Sequence, residues 1–317
     1  MSRAANRAIV ALFLLVLALP VGVNLAGVDG ADAGAENRTL AAFPLFNGSW
    51  ASATAFPAGL AAWFDDHFGF RARLVRWFGE SRLFVLGVSP SSAVGLGRNG
   101  WLFYLDDFGL EDYANVSPLT PSEQANWHEA IVRARDWMRR RGGSYVFTVV
   151  PDKHVIYPEA FPELVARVGS TSRTDQVFAS IADSGVGVDV RPPLLEAKTS
   201  ERVYQLTDTH WNDVGAFTAY QPIIEAVRAQ NPAVPPAWQA ADFTLTRREV
   251  IGMDLAGMIG LKRLMWEQEL ELVPKRPRRA RVVEPVGAEA TAEEGRLVTE
   301  IPDSTLPRAV IFRDSFA

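Results

Sequence analysis

An aspartate and a histidine that stand two residues apart form the most chemically suggestive pair in the sequence. Asp208 and His210 follow a short apolar run, residues 203–206, whose composition predicts a strand. Both residues would then lie on the loop at the carboxyl end of that strand, where open α/β sheets place their chemistry. Residues i and i+2 of an extended loop point the same way, so both side chains can face one cleft. An imidazole held by a carboxylate is the general base of many nucleophilic enzymes.

The nucleophile that such a pair requires is predicted to be Ser315. An apolar run, residues 309–312, has the pattern of a strand and leads directly into Asp314 and Ser315. A serine at such a strand end is exposed on a tight turn, where the following backbone N–H groups can form part of an oxyanion hole. Ser315 would attack an acyl carbonyl, His210 would take its proton, and Asp208 would orient the ring. The spacing alone leaves an equal alternative, a capped loop and a turn serine.

Length and composition limit the number of domains and exclude several kinds of functional site. The chain has 317 residues, 48% of them hydrophobic and 22% charged, which allows one large domain or two small ones. The net charge of −5 does not indicate a nucleic-acid-binding protein. The sequence has no cysteine, which excludes disulfides, thiolate zinc sites and a cysteine nucleophile. Its four histidines are too scattered to predict a metal site, and no cofactor is expected.

The N-terminus is predicted to be a segment that targets the protein to a membrane. Arg3 and Arg7 precede residues 8–26, which carry no charge and include an aliphatic run of a length between a signal-peptide core and a minimal membrane span. Basic residues before such a run place the N-terminus in the cytoplasm. Residues 1–26 are therefore predicted to be a signal anchor or signal peptide, 27–35 a linker and 36–317 the exported domain. We favour an uncleaved anchor, and in either case the body of the protein would be exported.

The exported part alternates between predicted strands and helices. Thr120-Pro121-Ser122-Glu123 has the pattern of a capping box that begins a helix, and Asn99-Gly100 is typical of a tight hairpin turn. The further predicted elements are strands at 145–150, 186–190, 203–206 and 309–312 and helices at 174–182 and 212–229. This alternation favours a parallel sheet covered by helices.

Three other stretches have a less regular pattern. Residues 56–88 have a helical pattern that Gly69 interrupts. The charged stretch 262–281 is interpreted as an inserted surface subdomain, and 284–296 as a loop.

Several short motifs occur together between about residue 36 and the end of the sequence. They are Glu36-Asn37-Arg38, Asp65-Asp66-His67-Phe68-Gly69-Phe70-Arg71, Asn99-Gly100-Trp101-Leu102-Phe103, Pro151-Asp152-Lys153, Asp208-Thr209-His210-Trp211-Asn212, Gly252-Met253-Asp254-Leu255 and Arg313-Asp314-Ser315-Phe316. In combination they resemble the alginate O-acetyltransferase family of the AlgX/AlgJ type, whose catalytic domain is SGNH-hydrolase-like.

The resemblance implies a three-layer, flavodoxin-like α/β fold with a parallel sheet flanked by helices. It also implies a periplasmic location and transfer of an acetyl group to hydroxyls of an exported, alginate-like polysaccharide. Ser315 matches the family's nucleophile, His210 its base and Asp208 the base's partner, with the acid–histidine pair before the serine, as the family has it. The expected partners are the polysaccharide acceptor, a membrane-bound protein that supplies the acetyl group, and the inner membrane.

Four more residues are expected on the substrate side of the site. Asp152 and Lys153 match a family motif and would line the cleft, although a surface ion pair between them is an equal alternative. Trp101 and Trp211 are aromatic residues that can exclude water and hold a sugar.

The resemblance has one departure, and the function has two alternatives. Chains of the family continue well past the serine, whereas this sequence stops at Ala317. We therefore expect either a fragment or a C-terminally incomplete copy, and the predicted activity applies to the complete protein. One alternative is an acetylesterase, in which water accepts the acyl group on the same triad. The other is a non-catalytic subunit that binds polysaccharide or acts as a scaffold in a membrane acetylation complex.

Overall fold

Helices and short paired strands alternate along the chain in this computed structural model, which describes residues 3–26, 39–106, 108–162, 165–285, 297–302 and 305–316. The predicted linker 27–35, the Glu36-Asn37-Arg38 motif and most of the predicted loop 284–296 lie outside the described residues. The helices are α1 (Arg3–Leu25), α2 (Trp50–Asp66), α3 (Arg71–Glu80), α4 (Gly109–Ala114), α5 (Pro121–Arg139), α6 (Lys153–Ile156), α7 (Arg173–Ser180), α8 (Arg191–Ala197), α9 (Asp213–Gln230) and α10 (Asp254–Met258). The strands are β1 (Val94–Leu96), β2 (Leu102–Tyr104), β3 (Phe147–Thr148), β4 (Gly187–Val188), β5 (Phe243–Ile251), β6 (Trp266–Pro274), β7 (Arg281–Pro285) and β8 (Leu297–Glu300).

Local capping chemistry explains where two of the longest helices begin. The Thr120 hydroxyl accepts from the Glu123 N–H, and the Glu123 carboxylate accepts from the Thr120 N–H at 2.7 Å, which is the predicted capping box of α5. Asn212 caps α9, since its Oδ1 accepts from the Gly215 N–H at 3.0 Å. The predicted starts of both helices are confirmed because a cap depends only on residues within one turn.

The strands form four separate pairs in the part of the chain that the structure describes. β1 pairs with β2 across the predicted tight turn, in which Asn99 and Gly100 have φ angles of 53° and 82°. β3 and β4 pair in parallel, β5 and β6 pair antiparallel over nine residues, and β7 pairs antiparallel with β8. The chain is thus a mixed α/β protein, but the expected three-layer parallel sheet is reduced, among the described residues, to the pair of β3 and β4.

Two predicted strands are wrong, because a strand requires a partner for its backbone hydrogen bonds. Residues 203–206 make a single antiparallel bridge, Tyr204 with Trp211, since this segment folds back on the residues that follow it. Residues 309–312 form no strand with any described residue, and Val310, Ile311 and Phe312 are 74–97% exposed. The predicted surface subdomain at 262–281 is also corrected, since Trp266–Pro274 within it form β6, which pairs along its length with β5.

The chain divides into two compact units. The first consists of the described part of Met1–Val94 together with Gly252–Met265. In it the predicted helical stretch 56–88 is divided into α2 and α3 by a break around Gly69, as the sequence predicts. The Asp66 carboxylate accepts from the Ala41 N–H at 2.7 Å, and the Trp63 ring lies edge-on to Phe43.

The second unit consists of Gly95–Ile251 and Trp266–Ala317 and contains every residue of the predicted site. Its main apolar cluster includes Phe103, Ile156, Tyr157, Leu194 and Tyr204, all at most 7% exposed. Burying each large apolar side chain contributes about 1.5–3 kcal/mol to folding. The cluster therefore stabilises the segments that follow β2 and β3 and the segment around Tyr204.

Candidate active site

The segment that carries Asp208 and His210 is a closed loop. Its ends are joined by two backbone hydrogen bonds, from the Asn212 N–H to the Val203 carbonyl at 3.1 Å and from the Gln205 N–H to the His210 carbonyl at 3.0 Å. α9 begins directly after it, and a Cβ at Gly215 would lie 2.1 Å from the Val203 carbonyl oxygen. Glycine at this position therefore allows the helix to start against the base of the loop.

The aspartate holds the histidine in one orientation. Asp208 Oδ1 lies 2.7 Å from His210 Nδ1 and also accepts from the His210 backbone N–H at 3.0 Å. Because an ionised carboxylate only accepts hydrogen bonds, the geometry assigns the proton to Nδ1 and leaves Nε2 as the acceptor. Asp208 is 9% exposed, so solvent competes little for this bond.

The serine completes a hydrogen-bonded row of three side chains. Ser315 Oγ lies 2.8 Å from His210 Nε2, on the side of the ring opposite to Asp208. The hydroxyl donates to Nε2 when Nδ1 carries its proton toward Asp208. The three residues that the sequence indicated are thus within hydrogen-bonding distance, although His210 and Ser315 are 105 positions apart in the sequence. This arrangement can deprotonate the serine as it attacks an acyl carbonyl.

Aromatic contacts hold the serine segment against the loop. Trp211 Nε1 donates to the Phe316 carbonyl at 2.9 Å, and the Phe316 ring lies 4.6 Å from the His210 ring and edge-on to Trp211. The Phe316 N–H, which the sequence analysis considered as an oxyanion donor, donates to the Asp314 carboxylate at 2.9 Å. Trp211 therefore positions the segment that carries Ser315, and its use as a sugar platform stays a prediction.

A carboxylate that the sequence analysis missed supports the loop from below. Glu267 on β6 has a fully buried side chain that accepts from the Leu206 N–H at 2.6 Å, the Thr207 N–H at 3.0 Å and the Thr207 hydroxyl at 2.6 Å. The Arg202 guanidinium pairs with the same carboxylate at 2.9 Å. These bonds fix the two residues that precede Asp208. No local pattern marks Glu267, because its partners lie about 60 residues earlier in the sequence.

Lys153 is buried beside the same loop. Its ammonium donates to the Leu102 carbonyl at 2.7 Å and to the Leu206 carbonyl at 3.2 Å. Burial lowers the pKa of Lys153 to about 7, while the carboxylates of Asp208 and Glu267 act in the opposite direction. A surface ion pair with Asp152 is ruled out by this burial, since Lys153 is 4% exposed. Contact of Lys153 with substrate stays a prediction.

The two other predicted substrate-side residues lie in different surroundings. Trp101 is half-buried, with its ring 4.3 Å from that of Tyr157. Asp152 is an exposed residue in the loop after β3 and borders a cavity of about 240 Å³. Desolvation by surrounding protein raises the pKa of its carboxyl; His154 opposes the rise, and Asp112 and Asp314 add to it. Ligand atoms of Asp112, Asp152 and His154 lie within 4.8 Å of one another.

Comparison with known proteins places this chain in a family. The family described as an SGNH hydrolase-like domain, acetyltransferase AlgX, matches residues 94–305, more than half of the chain. The match includes Asp208 and His210, and Ser315 follows it. The resemblance expected from the motifs is thereby confirmed.

Curated relatives carry the name probable alginate O-acetylase AlgJ. The protein of Pseudomonas syringae pv. tomato is 27% identical over 233 residues, covering 73% of this chain and 55% of the relative. That of Pseudomonas aeruginosa is 28% identical over 238 residues, covering 74% of this chain and 56% of the relative. The chain therefore spans little more than half the length of these relatives.

Solved structures show partial similarity. The O-acetyltransferase domain of Pseudomonas putida AlgJ is 23% identical with a TM-score of 0.38, and the match covers 57% of this chain and 66% of that one. Bacillus cereus PatB1 is 16% identical with a TM-score of 0.39, and the match covers 64% of each chain. With the family model matched over residues 94–305, the chain belongs to the SGNH hydrolase-like acetyltransferase AlgX family.

Proposed function

We propose that the full-length protein is a polysaccharide O-acetyltransferase that uses Ser315, His210 and Asp208 as a catalytic triad. The observation that carries this proposal is the row of hydrogen bonds from Ser315 Oγ through both nitrogens of His210 to Asp208. The names of the relatives, alginate O-acetylases, support acetyl as the group transferred and an alginate-like polysaccharide as the acceptor.

The reaction proceeds in two half-reactions. Ser315 Oγ attacks the carbonyl carbon of an acetyl donor while His210 Nε2 takes the hydroxyl proton. The donor's leaving group departs with that proton and leaves an acetyl ester on Ser315. A sugar hydroxyl of the acceptor then attacks this ester and gives its proton to His210. His210 returns the proton to Ser315 Oγ as the acetylated sugar leaves, and Asp208 stabilises the imidazolium in both steps.

An acetylesterase that uses the same three residues is the second candidate. The two activities differ only in whether a sugar hydroxyl or water accepts the acetyl group.

A mechanism-based serine probe, followed by product analysis, tests the proposal. The full-length protein is treated with an activated sulfonyl fluoride, and the labelled peptide is identified by mass spectrometry. We expect labelling that Ser315→Ala abolishes. Absence of labelling, or labelling that persists in Ser315→Ala, would contradict the triad. With an acetyl ester as donor and a deacetylated alginate oligosaccharide as acceptor, acetylated sugar as the main product supports the transferase, and acetate alone supports the esterase.

We also propose where the protein is located in the cell. Among the described residues, one helix, α1, is long and apolar enough to cross a membrane, a property that signal sequences share. α1 then anchors the catalytic unit on the periplasmic side of the inner membrane. There a membrane-bound partner supplies the acetyl group.

A further inference from the structure

The cavity that Asp152 borders lies where α/β proteins commonly bind ligands. Residues 149–152 follow β3 directly, and β3 and β4 are the parallel pair of this unit. Ligands bind beyond the carboxyl ends of the strands of open α/β sheets. The Pro151 carbonyl on the cavity wall accepts from the Tyr204 hydroxyl, and Tyr204 lies in the segment that leads into Asp208. The cavity wall is thus joined by a hydrogen bond to the segment that carries Asp208 and His210.

The size of the cavity suits one sugar ring. Its volume is about 240 Å³. Pockets for drug-sized ligands span about 300–1,000 Å³, so this one fits a single six-membered ring with its substituents rather than a longer piece of polymer.

The walls combine an aromatic face with carboxylates. Phe108 borders the cavity and is 66% exposed, with the Arg173 guanidinium 6.0 Å from its ring centroid. Two carboxylate residues, Asp112 and Asp152, and the hydroxyl residue Thr174 also line the cavity. An aromatic ring offers a flat apolar surface, and carboxylate oxygens accept hydrogen bonds from hydroxyl groups. This combination is suited to a polyhydroxylated ring.

The backbone of Phe108 is strained. Its φ angle is 70°, in the left-handed region that bulky residues rarely adopt. Such a conformation is found preferentially at functional sites. Here it directs the chain into α4, which carries Asp112 on the cavity wall. The same local conformation therefore places the aromatic ring and the carboxylate on one cavity.

We propose that this cavity is a subsite for one sugar ring of the acceptor polysaccharide, with Phe108 beneath the ring and Asp112 and Asp152 accepting hydrogen bonds from its hydroxyl groups. The inference rests on the proposed acetyl transfer and names where the acceptor is held. Arg191 also lines the cavity. Its guanidinium is held in place by ion pairs with Asp175 at 2.6 Å and Asp189 at 2.7 Å.

Two measurements on the full-length protein test the subsite. The first is calorimetric binding of a deacetylated alginate oligosaccharide to Ser315→Ala, which reports on binding without chemistry. Adding Phe108→Ala or Asp112→Asn to that variant should raise Kd at least tenfold. The second is the ratio of acetyl transferred to the oligosaccharide over acetate released, which should fall at least tenfold in Phe108→Ala with an intact serine.

A matched control separates the loss of this ring from the general loss of an exposed ring. Phe84 is also 66% exposed and lies in the first compact unit, so Phe84→Ala should leave Kd and the transfer ratio unchanged. Unchanged values in both Phe108→Ala and Asp112→Asn, with circular dichroism showing folded proteins, would overturn the subsite. Loss of binding on addition of EDTA would also overturn it, in favour of a cation at Asp112, Asp152 and His154.

The same data distinguish this inference from the proposed function. If the wild-type protein forms no acetyl-enzyme with a small activated acetyl ester, the proposed triad fails, while oligosaccharide binding to the cavity is still measured directly. If the acetyl-enzyme forms and the cavity variants bind sugar normally, only the subsite fails.

Discussion

At the scale of single residues, His210 is the centre of the site because both of its ring nitrogens have partners. Asp208 fixes one nitrogen and Ser315 lies against the other. Asp208 holds the proton on Nδ1, and in this tautomer Nε2 can accept the proton of the Ser315 hydroxyl.

Removal of this imidazole should abolish acyl transfer without unfolding the protein. His210→Ala is expected to slow acyl-enzyme formation by about 10²–10⁴-fold, the usual contribution of a general base. The rate is measured with a chromogenic acetyl ester and the fold by circular dichroism. His128→Ala, on α5, serves as the control and should retain activity. A His210→Ala protein with wild-type turnover would end the assignment of the base.

Lys153 should give stability a specific pH dependence. Its pKa falls from an ordinary value of 10.5 to about 7 in the folded state because the ammonium is buried. Between these two pH values the unfolded chain binds more protons than the folded one, so the free energy of unfolding should rise with pH. The rise from this group is at most about 1.4 kcal/mol per pH unit.

Urea denaturation from pH 7 to 10 measures this dependence. Lys153→Met should remove the rise, whereas Lys275→Met, at an exposed position, should retain it. Parallel pH profiles for wild-type protein and Lys153→Met would show that the folded-state pKa of this lysine is not depressed.

At the scale of elements, β6 supports the loop that carries Asp208 and His210. Glu267 projects from this strand and binds the backbone of Leu206 and Thr207 and the guanidinium of Arg202. The loop therefore depends on a pairing between β5 and β6 that lies far from it in sequence.

Truncation of this carboxylate should be costly. Glu267→Ala leaves a guanidinium and two amides without their buried acceptor, and we expect the free energy of unfolding to fall by about 3–5 kcal/mol. Glu269→Ala on the same strand removes only an ion pair with the exposed Arg248 and should cost less than about 1 kcal/mol. Chemical denaturation compares the two. Equal, small losses would show that Glu267 does not stabilise the loop.

Prediction from sequence succeeded for elements that are determined locally. The caps at Thr120 and Asn212 and the turn at Asn99 and Gly100 depend on neighbours within a few residues. The runs 203–206 and 309–312 have strand composition, but strand formation requires a partner segment, which composition does not reveal. The sequence therefore indicated the helix caps and the tight turn better than it indicated the sheet.

At the scale of the whole molecule, the three residues of the proposed triad all belong to the second compact unit, and α1 belongs to the first. The proposed membrane anchor and the proposed triad therefore lie in separate parts of the chain. This division makes the role of α1 testable without altering the residues of the site.

Deletion of residues 2–26 should move the protein from the membrane fraction to the soluble fraction. The reason is that α1 is the long apolar helix of the described residues, and its apolar side chains are exposed. Cell fractionation and immunoblotting measure the distribution, and N-terminal mass spectrometry of the wild-type protein distinguishes an anchor from a cleaved signal. A wild-type protein that is uncleaved and soluble would refute the anchor.

The sequence by itself determined the residue chemistry of this protein: the Asp208–His210 pair, the Ser315 nucleophile candidate, the helix caps and the apolar N-terminal run. These features depend on residue type and on spacing over a few positions. Only the tertiary structure decided that Ser315 lies against His210, that Glu267 and Lys153 are buried around the loop, and that Phe108 and Asp152 share a cavity. Contacts of that kind join segments tens of residues apart, and they form only where packing of the core brings those segments together.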